Sequence, residues 1–551
     1  MADAQYDAIV IGGGNKGLVT AMYLTKYGGM KTAVFETRHE VGGGWSSEES
    51  AASGFVSNIH STAHCTYYHD LMWKDFPDFE EKGGSLILPK CSVGMAFKED
   101  DSCLVFHNEK YDPTWEKQAA TLARFSQRDA DTLMGFAKVW DEWLYPEFHR
   151  WIWTPATANQ PDGFFQKIRQ EGARHGIDPN WIDKSLMQVC DELFESNEIK
   201  CSLLRGSYSW WGAPGHIQGT GMSVLAIILA SARATGFIRG GTHSLAHAAQ
   251  KIVVENGGKI FTKKGVVKIL VEGGKATGVR LADGSEVKAK IVVSSVSPQD
   301  LCLKLLDDGL LSPAIIAKIK ALYVYASPCL WWCHWAVHEP PKYKAATFDP
   351  DIEECAFVGL GDKDPWSPSR EYWRRKLGKE YPGAPIVDGE PLTWSYGVIG
   401  DPTYAPEGKC SLGNELYTCE VGEFTEKEWA KTEAKAAEFI IKKWGEFAPN
   451  MTWENVIGYN IDSPWDITYR LPQVPTRGTW NIVDCMLSQI GWNRPIPEIS
   501  DHRMPIKGLY GTGSGWHPLG FGMSTAGYNC YKVISDDYSL RQPWKEAGRE
   551  Y

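Results

Sequence analysis

Three glycines near the N-terminus have a spacing that suits the binding of phosphate groups. Gly12, Gly14 and Gly17 follow an apolar run at residues 8–11 and precede a stretch with one apolar side. In such a strand–turn–helix, the first glycine permits the turn, the second lets a pyrophosphate approach the backbone, and the third lets the helix pack against the strand. The free N–H groups of the helix N-terminus would face the phosphate charge. The pattern alone is weak evidence, and a plain glycine turn is the alternative.

Glu36 strengthens the interpretation of this region as a dinucleotide site. It ends a second predicted strand, residues 31–35, about twenty residues beyond the glycines. A carboxylate at this position accepts hydrogen bonds from ribose hydroxyls in dinucleotide-binding units; a solvated glutamate at a strand end is the alternative. The dinucleotide site predicted here comprises Gly12, Gly14, Asn15, Lys16, Gly17 and Glu36.

A second glycine run distinguishes between dinucleotides. Residues 38–47 read Arg-x-x-x-Gly-Gly-Gly-x-Ser-Ser and resemble the second diphosphate motif of the large FAD-dependent family that contains amine oxidases and phytoene desaturases. In that family the motif usually reads Gly-Gly-Arg, so Gly44 removes one expected cation. A flexible loop is the alternative. The resemblance implies FAD as the cofactor, with contacts from Arg38, Gly43, Gly44 and Trp45.

Two later stretches resemble the same family. A glycine turn and helix at residues 240–255, followed by a β meander to residue 294, match its order of elements. Residues 508–529 closely resemble its C-terminal signature, although Leu519 and Phe521 replace glycines often found there. A strand, a glycine loop and a helix N-terminus at this point would supply a second favourable dipole for the cofactor. The resemblance implies that Val266 contacts the adenine end of FAD and that further contacts come from Gly513, Ser514, Gly522, Met523 and Ser524.

Histidines near these motifs are the candidates for proton transfer. His60, His64 and His69 lie within ten residues of one another, and His517 lies in the C-terminal signature. Removal of a hydride and a proton from adjacent carbons is helped by a base within about 3 Å of the second hydrogen, and the unperturbed pKa of histidine is near neutrality. We expect His517 to lie beside the flavin, with His60 or His64 as the alternative base. Another interpretation is that these histidines only form hydrogen bonds in the core or with the cofactor.

Composition limits the class of protein. A length of 551 residues suggests two or three domains, and a net charge of −11 without a run of Lys or Arg argues against a nucleic-acid partner. The thirteen cysteines lack CxxC pairs, so we expect no metal site and no disulfide framework, and reduced thiols indicate a cytoplasmic protein. The chain passes almost directly into its first strand, which leaves no room for a leader peptide. The apolar run at residues 224–230 is far shorter than the ~18 residues that span a bilayer; transient contact with a membrane surface stays open.

The expected fold class is α/β, with a discontinuous Rossmann-like FAD-binding domain interleaved with a mixed α+β substrate domain. The predicted segments are 1–75, 236–297 and 486–551 for the FAD-binding domain, 76–235 for a helical and aromatic insertion, and 298–485 for the substrate domain. The aromatic residues of the insertion between Trp140 and Trp153 are expected to cover a water-poor cavity that lacks fixed charges. An alternating strand at 330–336 is expected to present an aromatic face to the same cavity. In both places a plain core is the alternative.

The function that the four matches imply is that of an FAD-dependent oxidoreductase similar to phytoene desaturases. We expect it to desaturate a small apolar substrate, isoprenoid or alicyclic, by hydride transfer to flavin N5. The sequence shows one dinucleotide fingerprint, so an external electron acceptor, namely a quinone, oxygen or a carrier protein, would reoxidise the flavin. Three alternatives are an amine oxidase, an isomerase or saturase that uses reduced flavin, and a flavin-binding regulatory or assembly protein without turnover.

Overall fold

The computed structural model describes residues 5–157, 163–207, 212–221, 230–324, 327–376, 384–472 and 481–551. The strands in these residues are β1 (Gln5–Ile11), β2 (Thr32–Phe35), β3 (Ser47–Glu48), β4 (Ser57–Asn58), β5 (His64–Cys65), β6 (Leu86–Ile87), β7 (Cys91–Phe97), β8 (Cys103–His107), β9 (Thr235–Ile238), β10 (Lys259–Phe261), β11 (Val266–Glu272), β12 (Lys275–Leu281), β13 (Glu286–Ser294), β14 (Cys329–Val337), β15 (Cys355–Gly361), β16 (Leu392–Ser395), β17 (Cys410–Thr418), β18 (Val456–Asp462) and β19 (Leu509–Gly511).

The α-helices in the same residues are α1 (Asn15–Lys26), α2 (Asp70–Asp75), α3 (Glu116–Ala123), α4 (Gln127–Val139), α5 (Tyr145–Ile152), α6 (Gly163–Glu171), α7 (Leu186–Leu193), α8 (Asn197–Gly206), α9 (His243–Glu255), α10 (Pro298–Asp300), α11 (Pro313–Lys320), α12 (Ser367–Lys376), α13 (Glu426–Phe447), α14 (Pro464–Arg470), α15 (Thr525–Tyr538) and α16 (Pro543–Glu546).

One sheet carries the first glycine loop. Its strand order is β10-β2-β1-β13-β12-β11, and β19 also pairs with β13. The pairs from β10 to β13 and the pair of β13 with β19 are parallel, whereas β12 joins antiparallel to both of its neighbours. A parallel sheet is covered by helices on its faces, and here α9 and α15 pack against α1. As a result α1 is buried along nearly its whole length.

The strand register brings three loops to one edge of this sheet. Ile11 pairs with Phe35 of β2 and with Ser294 of β13, and Ser294 pairs with Gly511 of β19. Each strand ends at its residue in this row, so loops from the N-terminus, the middle and the C-terminus of the chain leave the sheet together. In open α/β sheets, ligands bind in the crevice outside the carboxyl ends of the strands.

A second sheet has the order β18-β14-β17-β16-β15-β7-β8. Successive side chains of a strand point to opposite faces, and β14 shows this clearly. Trp331 packs in a core with Trp429 and Trp444 of α13, with ring centroids of Trp331 and Trp429 5.2 Å apart. Leu330 and Trp332 belong to a separate cluster on the other face.

Helices α3 to α8 pack as a layer against the first sheet and its helices. Trp140, Phe148 and Trp153 belong to the core that also contains Tyr67 and Tyr528. The rings of Trp153 and Tyr528 lie 5.0 Å apart, and those of Tyr67 and Phe148 lie 5.6 Å apart. The aromatic content of this segment therefore joins it to the glycine-loop unit. Residues 158–162 of the predicted helical stretch lie outside the described part of the chain.

The predicted α/β fold class, with one sheet built from distant parts of the chain, is confirmed. The predicted domain boundaries stay a prediction. The structure adds that β7 and β8, from the segment predicted as a helical insertion, are strands of the second sheet. No helix within the described residues is long and apolar enough to cross a membrane; the apolar run at 224–230 lies outside those residues except for Ala230.

Candidate active site

A cavity of about 1290 Å³ lies between the two sheets. The loops at the carboxyl edge of the first sheet form one side, and the Trp332 face of the second sheet forms the other. The lining from the first side includes Gly14, Asn15, Lys16, Gly44, Ser295, Gly513, Ser514, Phe521 and Gly522, and the lining from the second includes Leu330, Trp332, Phe357, Leu392, Trp394 and Glu415. The volume exceeds the roughly 300–1,000 Å³ of a typical small-molecule site.

The first glycine loop has the geometry that a bound phosphate requires. A Cβ on Gly17 would lie 2.3 Å from the carbonyl oxygen of Gly12, so only glycine allows α1 to pack this closely. A Cβ on Gly14 would meet nothing within 4 Å, because this residue faces the open cavity. Gly14 is also the N-cap of α1 and supplies no side-chain cap. The first N–H groups of the helix are thus available to an anion.

Glu36 fastens this loop to the end of β2. Its Oε2 accepts a hydrogen bond of 2.8 Å from the N–H of Gly13, and its Oε1 accepts one of 2.9 Å from the N–H of Arg38. The N–H of Lys264 donates to the carbonyl oxygen of Glu36 at 2.8 Å, which brings the start of β11 at Val266 into the same neighbourhood. Neither Glu36 nor Val266 lines the cavity; both lie at the outer end of the dinucleotide loop.

The second glycine run and the C-terminal signature meet the first loop. A Cβ on Gly43 would lie 3.0 Å from the Cα of Gly14. The indole Nε1 of Trp45 donates to the carbonyl oxygen of Gly522 at 2.8 Å, and the side-chain amide of Asn15 donates to that of Met523 at 3.5 Å. These contacts join segments that are hundreds of residues apart in the chain. Their assignment as cofactor contacts, together with that of Arg38 and Ser524, stays a prediction.

Ser295 is a cavity residue that the sequence analysis missed. It follows β13 directly, and a Cβ on Gly513 would lie 2.9 Å from its carbonyl oxygen. A signal was present, because the first residue after a central parallel strand lies at the ligand-binding edge. With these glycine loops, two helix N-termini and a buried lysine along one side, the cavity fits an extended, negatively charged dinucleotide such as FAD.

The two histidines near residue 60 have different positions. His60 lines the cavity, and its Nε2 has no hydrogen-bond partner among the described residues. Burial, with help from the charges of Arg470 and Arg38, lowers the pKa of His60 to about 3. His64 lies behind Ser61, with Nε2 3.3 Å from the Ser61 Oγ and Nδ1 3.0 Å from Nε2 of His69, and burial lowers its pKa to about 3 as well. Both imidazoles are therefore neutral at physiological pH, and their predicted role as bases stays untested.

His517 does not lie where it was predicted. It is absent from the cavity lining, and its Nε2 lies 2.9 Å from the carbonyl oxygen of Trp151 and 3.0 Å from that of Thr154. Since both partners are acceptors, Nε2 carries the hydrogen and donates it. Burial lowers the pKa of His517 to about 3. The residue ties the C-terminal loop to the insertion, because its ring turns away from the cavity and toward α5.

The apolar wall comes from the second sheet, as predicted for the strand at 330–336. Trp332 and Trp394 have ring centroids 5.1 Å apart, and Phe357 lies 5.9 Å from Trp394. The Trp332 Nε1 donates to the carbonyl oxygen of Asn58 at 3.2 Å, which satisfies its buried polar atom. The prediction that the aromatic residues between Trp140 and Trp153 cover the cavity is wrong: none of them lines it, because they fill the core beneath it.

The cavity is not free of fixed charges, which corrects a second expectation. Lys16 lines one side and Glu415 of β17 lines the other, and both are buried. The hydroxyl of Tyr417 donates to Oε1 of Glu415 at 2.8 Å. The sequence analysis missed Glu415, although a carboxylate inside an otherwise apolar strand is itself a signal of a functional position.

One cluster away from the cavity bears on the prediction of no metal site. Cys91, His107 and Asp351 place potential ligand atoms within 4.8 Å of one another. Asp351 already has an ion pair with Lys90 at 2.5 Å and lies 3.2 Å from Nε2 of His107. Because these partners satisfy the carboxylate, we assign no metal to the cluster, and the prediction stays untested.

Comparison with known proteins agrees with this geometry. The family model described as flavin containing amine oxidoreductase matches residues 17–331. A limonene dehydrogenase polypeptide of Castellaniella defragrans is 26% identical over 562 residues, which cover 98% of this chain and 96% of that protein. Pyridine nucleotide-disulfide oxidoreductase domain-containing protein 2 of Mus musculus is 27% identical and covers 97% of this chain and 94% of its own length.

A solved structure shows the same fold. The crystal structure of an oxidoreductase from Methanosarcina mazei matches with a TM-score of 0.59 and 16% identity, over 96% of this chain and 100% of that chain. At this identity the likeness concerns the fold alone. The family match spans more than half of the chain and includes the last glycine of the first loop, the second glycine run and the start of the aromatic strand. This chain therefore belongs to the flavin containing amine oxidoreductase family and is an FAD-dependent oxidoreductase.

Proposed function

We propose that this protein desaturates a small apolar substrate, isoprenoid or alicyclic, in the cavity between its two sheets. The observation that carries the proposal is the composition of that cavity: aromatic and aliphatic side chains opposite the glycine loops, with one carboxylate among them, Glu415. Limonene, the compound in the name of the bacterial relative, is an alicyclic hydrocarbon, which supports the same substrate class.

The wall of the second sheet is suited to a hydrocarbon. Leu330, Trp332, Phe357 and Trp394 lie on one face of the sheet and are all buried. An apolar substrate gains about 25 cal/mol for each Å² of surface that it removes from water, and aromatic rings supply large areas without polar groups that need partners. The same wall excludes water from the reacting carbons.

Glu415 is the proton acceptor in this proposal. Desaturation removes a hydride and a proton from adjacent carbons, and bound FAD supplies the hydride acceptor at N5. Glu415 is the one carboxylate among the described residues that line the cavity, and the bond from Tyr417 orients it. His60 is the second candidate, although its low pKa gives it little advantage over a carboxylate as a base. His517 has no part in the mechanism.

An external acceptor reoxidises the flavin in this proposal. The first sheet binds one dinucleotide along its carboxyl edge, and the acceptor is a quinone, oxygen or a carrier protein that visits the cavity. A substrate of this class partitions into lipid, so transient contact with a membrane surface is part of the proposal.

The experiment is anaerobic reduction of the bound flavin, followed by its absorbance, with three sets of compounds: alicyclic hydrocarbons such as limonene, acyclic isoprenoids, and primary and secondary amines. The wild type should be bleached by a member of the first two sets. Glu415→Gln should retain FAD and lose roughly 10²- to 10⁴-fold in the rate of reduction. Glu390→Gln is the matched control, because Glu390 is equally buried but pairs with Lys443 at 3.1 Å outside the cavity.

Other outcomes would select the alternatives. Reduction by amines alone, with release of peroxide in air, would identify an amine oxidase. Turnover only after chemical reduction of the flavin would identify an isomerase or saturase. If no compound of any set exchanges electrons with the flavin, a regulatory or assembly role replaces the proposal.

A further inference from the structure

Lys16 is a buried cation with no acidic partner among the described residues. Its side chain lies in the cavity wall and is 2% exposed. The ammonium group donates to the hydroxyl of Ser514 at 3.1 Å, to the carbonyl oxygen of Gly520 at 3.5 Å, and to that of Phe521. All of these partners are neutral, and in this part of the chain no carboxylate forms an ion pair with Lys16.

The charged groups around Lys16 add to the imbalance. Arg494 is fully buried and donates to the carbonyl oxygen of Ser514 at 2.7 Å. The charge of Asp484 acts on Arg494 but not on Lys16. On the remaining side lie His64 and His69, whose pKa values burial lowers, so both rings are uncharged. A buried charge is tolerated when a partner compensates it, and the position left for the partner of Lys16 is the cavity.

The location of Lys16 identifies the group that would compensate it. Lys16 is in the first turn of α1, close to Gly14, whose exposed backbone and helix N-terminus form an anion site. FAD carries its negative charge on the diphosphate. In the second glycine run, Gly44 has no side chain to contribute, and Arg38 lies at the outer end, where its Nη1 donates to the carbonyl oxygen of Arg470 at 3.0 Å.

We propose that Lys16 is the cation that neutralises the diphosphate of FAD, and that this ion pair makes the retention of FAD weaken as the pH rises above neutrality. Lys16 also holds Ser514 and the 520–521 backbone, so one side chain connects the cofactor with the glycine loops from both ends of the chain.

The direction of the pH effect follows from proton linkage. Burial, and to a smaller degree the charge of Arg494, lowers the pKa of Lys16 to about 7 in the absence of FAD. An anion beside the ammonium raises that pKa, so above pH 7 the binding of FAD requires the uptake of a proton. The dissociation constant of FAD should be constant below pH 7 and should rise by up to about tenfold for each pH unit above it.

The test uses the holoenzyme and three variants. Each protein is diluted to nanomolar concentration between pH 6 and 9, and the fluorescence of released FAD gives the dissociation constant. Lys16→Met should weaken binding about 10- to 100-fold at pH 6, as expected for the loss of a hydrogen bond to a charged group, and should lose the pH dependence. Lys16→Arg should keep the tight binding but also lose the pH dependence, because arginine stays protonated throughout this range.

Lys532→Met is the matched control. Lys532 is also a buried lysine, with a pKa that burial lowers to about 8, but it packs near the rings of Tyr528 and Trp544 and does not line the cavity. This variant should keep both the affinity and the pH dependence of the wild type. Wild-type affinity of Lys16→Met at pH 6, or a wild-type pH dependence in Lys16→Arg, would overturn the proposal.

Competition by ADP locates the ion pair within the cofactor. ADP carries the diphosphate and adenosine but no flavin, so Lys16→Met should weaken the displacement of FAD by ADP as much as it weakens FAD binding. If ADP binds the variant as tightly as the wild type while FAD does not, Lys16 contacts the flavin and the assignment to the diphosphate is wrong. Far-ultraviolet circular dichroism of each variant shows that a loss of FAD does not result from unfolding.

Discussion

Replacement of Glu36 by alanine should affect both the dinucleotide loop and the cofactor. The carboxylate is 9% exposed and accepts hydrogen bonds from the N–H groups of Gly13 and Arg38. Gly13 is buried, so its N–H would lose its partner in the variant, at a cost of about 1–3 kcal/mol. The N–H of Arg38 is only partly buried and can bond to water instead. The free energy of unfolding of the apoprotein should therefore fall by about 1–3 kcal/mol.

The effect on FAD comes in addition. The ribose hydroxyls would lose a charged acceptor, which contributes about 1.5–3 kcal/mol, equivalent to about 10- to 100-fold in the dissociation constant. Glu36→Gln keeps one carbonyl oxygen for one of the two backbone donors and should fall between the wild type and Glu36→Ala. Glu49→Ala is the control, since this nearby carboxylate is only partly buried and bonds only within its own loop, to Ser53 and Gly54.

The two effects are measured separately. Urea unfolding of the apoproteins reports the loop, and titration with FAD followed by flavin fluorescence reports the ribose contact. If Glu36→Ala binds FAD within twofold of the wild type, Glu36 is not the ribose acceptor. If its apoprotein unfolds at the same urea concentration as the wild type, the hydrogen bond to Gly13 contributes nothing to stability, and the account of the loop given above is wrong.

Three further outcomes can be checked with the same preparations. Gly14→Ala should fold normally but bind FAD weakly, because its added methyl group projects into the cavity, whereas Gly17→Ala should yield little folded protein, because its Cβ would lie 2.3 Å from a backbone oxygen; equal yields and equal FAD contents would contradict both. Trp332→Ala should lose about 3–5 kcal/mol of stability and should weaken the binding of an apolar substrate, so an unchanged half-saturating concentration in flavin reduction would remove Trp332 from the substrate wall. Because the pKa of His64 is about 3, its ring should stay neutral from about pH 5 to 9, and a step in the reduction rate near pH 6.5 that is absent in His64→Asn would show otherwise.

The glycine loops and Glu36 could be predicted from the sequence because local rules determine them. A positive φ at Gly12 and the 2.3 Å approach at Gly17 exclude other residues, so the pattern of glycines records the backbone geometry directly. Glu36 follows from the length of one helix and one strand, which sets where the second strand ends relative to the first. The cofactor, the fold class and the reaction class predicted from these motifs are confirmed.

The wall of the cavity was only partly predictable. Alternation along β14 shows that Trp332 and Trp331 point to opposite faces, but it does not show which face meets the glycine loops. The helical insertion also carries many aromatic residues, and composition alone does not separate a cavity wall from a core. Only the packing of Trp153 on Tyr528 and of Trp332 on Trp394 decides between them.

The chemical groups of the site depend most on tertiary structure. His517 is in the right loop, but its ring turns toward the backbone of Trp151, a contact across hundreds of residues that no local pattern contains. Glu415 and Lys16 face the same cavity from different sheets, and their relative position depends on how those sheets pack. Local sequence determined where the backbone can hold a dinucleotide, because steric limits on glycine act within a few residues. Which side chains surround the reacting carbons was decided by long-range packing.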